Sequence, residues 1–332
     1  MNTILILTAL IIIFALVFDF INGFHDTANA IATAVSTKAL KPRHAIIMAA
    51  VMNLLGALTF TGVAHTITKD IVDPFTLNNG SYVILAALIS AIIWNLITWY
   101  FGIPSSSSHA IIGSIAGAAI VASGFDAIKW SGFTKIVQAL ILSPILAFTL
   151  GFIVYSIFKV VFKNNNLGKT NTRFRRIQIV TAAIQSYTHG TNDAQKSMGI
   201  ITMALIANGY ASTSEVPFWV QLSCAIAMAL GTSIGGWKII KTVGGKIMKI
   251  RPVNGVAADM TGAAIIFGAT FLHMPFSTTH VISSSILGVG SAHRIKGVKW
   301  GTAKNMLVTW FITLPISASL AGIIYYLIAL FL

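Results

Sequence analysis

The sequence predicts an all-α polytopic membrane protein made of two inverted-topology repeats, with broken helices and two re-entrant helical hairpins. This prediction rests on the apolar composition, on two pairs of matched motifs, and on the positions of the basic residues. Of the 332 residues, 56% are hydrophobic and only 9% are charged, and the mean hydropathy is +0.83. Because a soluble domain carries roughly a quarter charged residues, most of this chain must face lipid or other helices.

Apolar segments that are long enough to form helices recur along the whole chain. A helix needs about 20 residues to cross the hydrocarbon core of a bilayer. On that basis the predicted segments are 3–37, 44–67, 81–103, 107–123, 133–162, 177–209, 216–237, 253–274, 281–292 and 302–332. The first of them is interrupted by "GFHDTANA", which places a carboxylate within an apolar run.

Two motifs occur twice, once in each half of the chain. "GFHDTANA" from Gly23 matches "GTNDAQKS" from Gly190, and "PSSSSH" from Pro104 matches "PFSTTH" from Pro275. The aspartate and the proline are 78 residues apart in the first half and 82 in the second. We therefore predict an internal duplication. Its parts are transmembrane repeat 1 at 1–162 (hairpin tip 104–109), a basic cytoplasmic linker at 163–176, and transmembrane repeat 2 at 177–332 (hairpin tip 275–280).

The net charge of +14 is concentrated in clusters that flank the apolar segments. Such clusters are typical of cytoplasmic loops, and they argue against nucleic acid as a partner. They lie at 38–43, 159–176, 238–251 and 294–304.

The same clusters predict the relative orientation of the two repeats. If 38–43 is cytoplasmic, the loop containing Asp70 and Asp73 is external, and the first hairpin enters from outside. The second hairpin lies between two basic clusters and enters from inside. The repeats are then inverted and both termini are extracellular, although Lys129 and Lys135 also fall outside. Inverted repeats with broken helices that meet near the midplane are typical of transporters.

The two hairpin tips have the composition of an anion site. Proline disfavours helix for the residue before it, so the preceding helices are expected to end near Ile103 and Met274. Serine and threonine are good N-caps, so new helices are expected to start within 105–108 and 277–279. Each start offers free backbone N–H groups, hydroxyls and the positive end of a helix dipole. The alternative is that these clusters only cap helices or pack between spans.

The chain has only eight acidic residues, and Asp26, Asp193 and Asp259 lie within apolar segments. A carboxylate at the centre of a membrane helix costs roughly 2.5–3.5 kcal/mol on insertion scales. A helix break beside Gly23 or Gly190 would free carbonyls near the carboxylate, and such oxygens are the ligands of hard cations. The role of Asp19 stays open.

Further polar residues accompany these two acids. Asn29 shares a helical face with Asp26, and its counterpart in the second copy is Lys196. The alternative role of Asp193 is therefore an internal ion pair with Lys196. We predict Asp26, Asn29, His25, Asn192 and Asp193 as coupling-ion residues, with Asp26 and Asp193 also as metal ligands. The residues predicted to balance the charge of the site are Gln195 and Lys196.

A charge count favours cation coupling. Asp26 and Asp193 contribute −2, Lys196 contributes +1, and a doubly charged oxyanion brings the site to about −3, which is untenable in a low-dielectric interior. Monovalent cations, protons or one divalent cation would bring the charge close to zero. The sequence therefore predicts symport rather than uniport.

Histidines accompany both pairs of motifs. His25 lies in the first aspartate motif, and histidine is the side chain most often used as a switch near neutral pH. His109 and His280 follow the hydroxyl clusters at matched positions and are predicted to donate to the anion or to gate it, with packing as the alternative. The chain has neither a metalloprotease HExxH sequence nor a Cys/His zinc cluster, and "GKTNT" at Gly168 lacks the glycine spacing of a P-loop. No enzymatic activity and no cofactor are predicted.

With these residues assembled, the sequence resembles the PiT family of inorganic phosphate transporters over essentially its whole length. The resemblance rests on "NGFHDTANAIAT", "GIPSSSSHAIIG", "THGTNDAQKSMGI" and "MPFSTTHVISSSILG". It implies inward phosphate transport, an inverted-repeat fold, external termini and a homodimer. The family fingerprint has asparagine where this chain has His25. The motif with histidine at this position is similar to that of the bacterial branch of the family. In that branch, protons drive uptake of a metal–phosphate complex across the inner membrane.

The leading hypothesis is therefore a cation-coupled phosphate symporter of the bacterial inner membrane that works by alternating access. The coupling cation is H⁺ or Na⁺, with a divalent metal as a possible companion of phosphate, and the partners are phosphate, membrane lipid and a second copy of the chain. The predicted substrate-binding residues are Ser105, Ser106, Ser107, Ser108, His109, Ser277, Thr278, Thr279 and His280. The alternatives are a sulfate transporter of the same fold, a phosphotransferase that uses His109 or His280, and a passive anion channel.

Overall fold

The computed structural model describes residues 2–72, 79–164 and 166–331. Asp73 of the predicted external loop, Asn165 of the predicted linker and both terminal residues lie outside the described residues. The described helices are α1 (Asn2–His25), α2 (Thr27–Ser36), α3 (Pro42–Ala57), α4 (Gly62–Asp70), α5 (Gly80–Phe101), α6 (Ser107–Ser123), α7 (Trp130–Val161), α8 (Leu167–Ala207), α9 (Phe218–Ile234), α10 (Trp237–Lys241), α11 (Pro252–Phe271), α12 (Thr278–Arg294) and α13 (Trp300–Ala329).

The all-α membrane architecture predicted from composition is confirmed. Within the described residues, four helices are long and apolar enough to cross a membrane, or up to six if each of two bent pairs counts as one span. The predicted segments 81–103, 107–123, 133–162 and 302–332 correspond to α5, α6, α7 and α13. Leucine, isoleucine and valine on their outer faces are exposed, as expected for helices that face lipid.

One predicted single span is a bent helix pair, and another, 216–237, is followed by a bend into a helical stretch that the sequence assigned to a basic loop. Segment 44–67 consists of α3 and α4, which meet at 67°, and α9 meets the helical stretch from Trp237 to Lys246 at 62°. The first bend is stabilised at the start of α4, where the side chain of Gln195 accepts hydrogen bonds from the backbone. The second bend passes through Gly235, whose φ of +75° suits a residue without a Cβ.

The predicted helix breaks differ between the two copies of the aspartate motif. In the first copy α1 ends at His25 and α2 begins after Asp26, whose φ of −88° and ψ of −34° remain helical. The break is thus one residue long and lies at Asp26 rather than beside Gly23. In the second copy α8 continues through the motif without interruption, so the predicted break beside Gly190 is wrong.

Close helix packing explains these two glycines. A Cβ on Gly190 would lie 2.7 Å from the Cα of Asn53 in α3, and a Cβ on Gly23 would lie 2.8 Å from the backbone nitrogen of Thr232 in α9. Both distances are too short for a real side chain. The glycines therefore allow α8 to approach α3 and α1 to approach α9.

The non-helical part of the predicted linker 163–176 is shorter in the structure than the sequence predicts. Helix α8 begins at Leu167, and the side chain of Asn166 caps it by accepting hydrogen bonds from the N–H groups of Gly168 (2.9 Å) and Lys169 (3.2 Å). Most of the polar stretch 163–176 is therefore the first part of a long helix. A cap of this kind satisfies N–H groups that a helix start leaves without partners.

The two halves of the chain interlock. Helix α6 packs against α13, and α12 packs against α7, so the second arm of each hairpin contacts the last helix of the other half. The contacts are matched, because a Cβ on Gly117 would meet the backbone of Ala318 and one on Gly288 would meet the backbone of Phe148. This arrangement brings both hairpin tips to the centre of the molecule.

Candidate functional site

Both hairpin tips turn into a helix in the same way. The side chain of Ser106 accepts a hydrogen bond from the backbone N–H of His109 (3.1 Å), and that of Ser277 accepts one from His280 (3.2 Å). These serines are the N-caps of α6 and α12. The predicted helix starts within the two hydroxyl clusters are confirmed.

The caps leave the first two N–H groups of each helix available. These belong to Ser107 and Ser108 in α6 and to Thr278 and Thr279 in α12, and the first turn of a helix has no intrahelical acceptor for them. The two tips touch, since the hydroxyl of Ser108 donates to the backbone oxygen of Phe276 (3.0 Å). Two positively polarised helix ends therefore meet in the interior.

Asp26 lies between the two tips and is 1% exposed. Its Oδ2 accepts a hydrogen bond from the hydroxyl of Ser107 at 2.5 Å, and its Oδ1 accepts one from Thr279 at 3.0 Å. The Nδ1 atom of His25 lies 2.7 Å from the same Oδ1. One carboxylate thus contacts both hairpins and a neighbouring imidazole.

The residues around Asp26 extend this polar network. The Nε2 atom of His25 lies 3.0 Å from the hydroxyl of Thr98, which accepts a hydrogen bond from Ser105 at 2.8 Å. The amide of Asn29 donates to Thr279 at 2.9 Å. These side chains therefore join α1 to α5 and the first hairpin tip, and α2 to the second hairpin tip.

Asp193 occupies the corresponding place on α8 and is 0% exposed. Its Oδ2 lies 3.0 Å from the ammonium of Lys196 and 3.3 Å from Nε2 of His189. The same oxygen accepts hydrogen bonds from Thr278 (3.2 Å) and from the amide of Asn22 (3.3 Å). The internal ion pair with Lys196 that the sequence offered as an alternative is present.

Lys196 connects the two carboxylates. Its ammonium also donates to the hydroxyl of Ser107 at 2.8 Å, and that hydroxyl donates in turn to Asp26. Lys196 is 1% exposed, so this charge is desolvated together with both acids. A buried cation of this kind is tolerated only with close anionic and hydrogen-bonding partners.

Two predicted site residues have other contacts. Gln195 accepts hydrogen bonds from the backbone N–H groups of Val63 (2.7 Å) and Ala64 (3.1 Å). It therefore caps α4, which corrects the prediction that it balances the charge of the site. Asn192 donates to the backbone oxygen of Met274 at 3.1 Å, a contact that joins α8 to the second hairpin.

The matched histidines contact each other. The ring centroids of His109 and His280 are 4.4 Å apart, and the ring of His280 stacks on Trp310 at 4.0 Å. Nδ1 of His109 is 2.8 Å from the hydroxyl of Ser106. Both rings line an apolar cavity of about 540 Å³ between the hairpins and helices α7 and α13. Their position at the junction of the two halves is compatible with the packing role that the sequence left open.

Asp259 is a further buried acid. It accepts hydrogen bonds from the hydroxyl of Thr33 at 2.6 Å and from that of Thr181 at 3.2 Å. These contacts join α11 to α2 and α8. Asp259 therefore connects these helices by hydrogen bonds, and none of its hydrogen bonds within the described residues reaches a hairpin tip.

Several buried oxygen acceptors around the two aspartates have no hydrogen-bond donor among the described residues. They are the Oδ1 atoms of Asn22, Asn29, Asn192 and Asp193. Carboxylate and amide oxygens are ligands of hard cations. No group of three or more histidine, cysteine, aspartate or glutamate residues in the described ranges is arranged to hold a metal ion. The donor set therefore suits a cation held by mixed oxygen ligands better than a site for a soft metal.

The sequence predictions did not include three residues of this network, Asn22, His189 and Thr98. A signal for two of them was present, because Asn22 and His189 each lie four residues before the aspartate of their motif. Side chains four apart share a helical face, so a polar residue at both positions indicated a contact. Thr98 gave no comparable signal, since it follows a long apolar run.

These features define the class of the protein. Membrane-spanning helices, bent helix pairs and two hairpin tips enclose a buried site with two carboxylates, one ammonium and free helix N-termini. Such a site, formed by discontinuous helices in the interior of a multi-pass membrane protein, defines a transporter. Comparisons with known proteins specify the class further.

Residues 22–321 match the model of the phosphate transporter family, and the chain belongs to this family. It is 77% identical, over 99% of both chains, to a Bacillus subtilis (strain 168) protein named "Probable low-affinity inorganic phosphate transporter". A Rhizobium meliloti (strain 1021) protein of the same name is 46% identical over 94% of this chain and 93% of that one.

A solved structure agrees with this assignment. The structure titled "The sodium-dependent phosphate transporter" superimposes with a TM-score of 0.88 and 27% sequence identity, and the match covers 98% of this chain and all of that one. The family consists of transporters rather than enzymes. The predicted family, the membrane fold and the absence of an enzymatic role are therefore confirmed.

Proposed function

We propose that this chain is a cation-coupled symporter that imports inorganic phosphate across the bacterial inner membrane by alternating access. The observation that carries the proposal is the contact of Asp26 with both hairpin tips, through the hydroxyls of Ser107 and Thr279. Its relatives bear the names of phosphate transporters, which favours phosphate over sulfate as the substrate.

Phosphate recognition is assigned to the hairpin tips. Backbone N–H groups at a helix N-terminus bind phosphate through direct hydrogen bonds and a favourable dipole. The tips provide two such ends, and the hydroxyls of Ser107, Thr278 and Thr279 add further donors. In the structure these hydroxyls donate to carboxylates. Phosphate binding therefore requires them to reorient from the carboxylates to the substrate.

Charge balance supplies the reason for coupling. Asp26, Asp193 and Lys196 together carry −1, and phosphate dianion brings the site to about −3, a charge too costly to desolvate alone. A cation bound to the oxygens of Asp26, Asn29 or Asp193 lowers that cost. Cation and phosphate then stabilise each other in the same site, which is thermodynamic coupling between two ligands.

Two observations bear on the identity of the cation, and they favour different ions. The solved neighbour is titled a sodium-dependent transporter. This chain, however, has His25 in contact with Asp26 at 2.7 Å, an imidazole–carboxylate pair that can hold a proton. A divalent metal would enter as cargo with phosphate.

The remaining parts of the proposal concern topology and motion. Both termini are placed outside, the basic clusters in the cytoplasm, and a second copy of the chain in the assembly. Because each hairpin packs on the last helix of the other half, movement of one half carries the opposite hairpin. This interlocking gives a physical basis for moving both tips together between the two membrane faces.

Uptake into proteoliposomes tests the proposal. Radiolabelled phosphate uptake is measured with proton, sodium and magnesium gradients imposed separately, and with excess sulfate as competitor. We expect uptake above the gradient-free rate with at least one cation gradient and little inhibition by sulfate. Equal uptake after collapse of every cation gradient would instead indicate a passive channel, and strong inhibition by sulfate would indicate a general oxyanion transporter.

A further inference from the structure

The apolar cavity between α7 and α13 is a feature that phosphate transport does not explain. Its volume of about 540 Å³ lies within the range of sites that bind small organic molecules. Ile141 and Ile145 of α7 form part of one wall, and Leu307 and Phe311 of α13 form part of the other. Because these side chains offer no hydrogen bonds, the ligand that fits between them is a hydrocarbon rather than an anion.

The cavity lies between two membrane-spanning helices. Both α7 and α13 are long and apolar enough to cross a bilayer. The side chains at the rim of the cavity are exposed, by 49% at Ile141, 59% at Ile145 and 73% at Phe311. At this depth the surrounding medium is lipid hydrocarbon. An acyl chain of a membrane lipid can therefore enter the cavity from the side.

The cavity extends over about one leaflet of the bilayer. Along α13 its lining runs from Trp300 to Pro315, which corresponds to about 22 Å at 1.5 Å per residue. Half of the hydrocarbon core is about 15 Å thick. Tryptophan is enriched at the membrane–water interface, and Trp300 is 48% exposed. The Trp300 end thus lies at the level of the lipid headgroups and the Pro315 end near the midplane.

Basic side chains surround the Trp300 end. Lys304 is exposed and has no hydrogen bond or ion pair within the described ranges. It lies four residues after Trp300 and three before Leu307, so the three side chains share one face of α13. No acidic residue follows Asp259 in the sequence. The other exposed cations near this end are Arg294, Lys296 and Lys299.

We propose that the cavity between α7 and α13 binds one anionic phospholipid, with an acyl chain between the two helices and the phosphate headgroup beside Trp300 and Lys304. Basic pockets between membrane helices bind anionic headgroups, and each lysine or arginine near the membrane surface contributes about 1 kcal/mol. A second copy of the chain fits this face poorly. A two-fold contact would place the two basic clusters against each other, and like charges repel.

A lipid chain in this cavity contacts both hairpins. The floor includes the rings of His109 in α6 and His280 in α12, whose centroids are 4.4 Å apart. The lipid thus packs against one helix of each hairpin as well as against α7 and α13. Lipid binding is therefore expected to stabilise the junction of the two halves, which raises the thermal unfolding midpoint.

Direct lipid binding tests this inference without any transport measurement. The purified full-length protein in detergent is titrated with dioleoylphosphatidylglycerol or with dioleoylphosphatidylcholine, and bound lipid is counted by native mass spectrometry. Ile141→Trp and Leu307→Trp fill the cavity from opposite walls. Ile153→Trp is the matched control, because Ile153 lies on α7 and is 45% exposed but does not line the cavity.

A second pair of variants tests the headgroup contact. Lys304→Gln removes the charge at the entrance, and Lys41→Gln removes an exposed lysine from a different basic cluster. The thermal unfolding midpoint of each variant without added lipid shows whether the protein is folded.

We expect the wild-type protein to bind one phosphatidylglycerol more tightly than phosphatidylcholine, with a higher unfolding midpoint when this lipid is bound. Both cavity-filling variants are expected to weaken phosphatidylglycerol binding by about tenfold or more, and Ile153→Trp to leave it unchanged. Lys304→Gln is expected to weaken it by about fivefold, which corresponds to about 1 kcal/mol, and Lys41→Gln by less than about twofold.

Three results would overturn the proposal. The first is equal affinity for the two lipids. The second is binding that either folded cavity-filling variant leaves as strong as in Ile153→Trp, or that Lys304→Gln and Lys41→Gln weaken equally. The third is a dimer that Ile141→Trp converts to monomers, which would assign the cavity to a second copy of the chain.

Discussion

Replacement of Ser107 by alanine is the sharpest test of the central network. This hydroxyl donates to Asp26 at 2.5 Å and accepts from Lys196 at 2.8 Å, so it links the two carboxylate groups of the site. A hydrogen bond to a charged group contributes about 1.5–3 kcal/mol. Loss of one such bond in the transport cycle corresponds to a decrease of about 10- to 150-fold in uptake efficiency.

The assay is the initial rate of radiolabelled phosphate uptake into proteoliposomes, measured across phosphate concentrations to give kcat/KM. Ser114→Ala is the matched control, because Ser114 lies on the same helix, is equally buried and donates to the neutral hydroxyl of Ser90 at 3.1 Å. A neutral hydrogen bond contributes about 0.5–1.5 kcal/mol. If both variants reduce kcat/KM equally, the carboxylate contacts of Ser107 have no special part in transport.

Three further variants test separate features. Asp26→Asn is expected to abolish cation-driven phosphate uptake in proteoliposomes, and retention of full uptake would contradict our assignment of Asp26. Gly190→Ala is expected to lower the thermal unfolding midpoint in detergent, because its Cβ would meet the backbone of Asn53. Gly268→Ala is the control, since a Cβ there would meet nothing within 4 Å. This control is expected to be neutral or to stabilise the protein by up to about 1 kcal/mol. Gln195→Leu uncaps α4 and is expected to cost about 1–2 kcal/mol in stability, measured by the same unfolding assay, with little change in the KM for phosphate.

The sequence predicted the hairpins well because their signals are local. Proline ends one helix and the following serine or threonine caps the next, and both effects act within a few residues. The matched motif in the other half of the chain then supported the prediction for each tip. The spans in the hairpins and the last helix of each half could therefore be located to within a few residues.

The errors concern contacts between distant segments. Glycine in an apolar run indicates either a helix break or a close helix crossing, and the sequence pattern does not distinguish them. Gly190 lies at a close crossing of α8 with α3, and α8 is not broken there. The sequence does not reveal that α3 is the packing partner. The same limit applies to Gln195, because its role depends on α4, whose start lies more than a hundred residues earlier.

The two copies of the site have matched residues around their aspartates but differ in charge. Asp193 has the ammonium of Lys196 at 3.0 Å, whereas the position equivalent to Lys196 in the first copy is Asn29, which supplies an amide instead. Among the described residues, Asp26 thus contacts hydroxyls and an imidazole and forms no ion pair with a lysine or arginine. Two carboxylates in such different surroundings cannot bind cations equally well. We therefore expect Asp26, with its neighbour His25, to control which cation drives transport, and Asp193 with Lys196 to maintain the charge balance that keeps the phosphate site in the membrane interior.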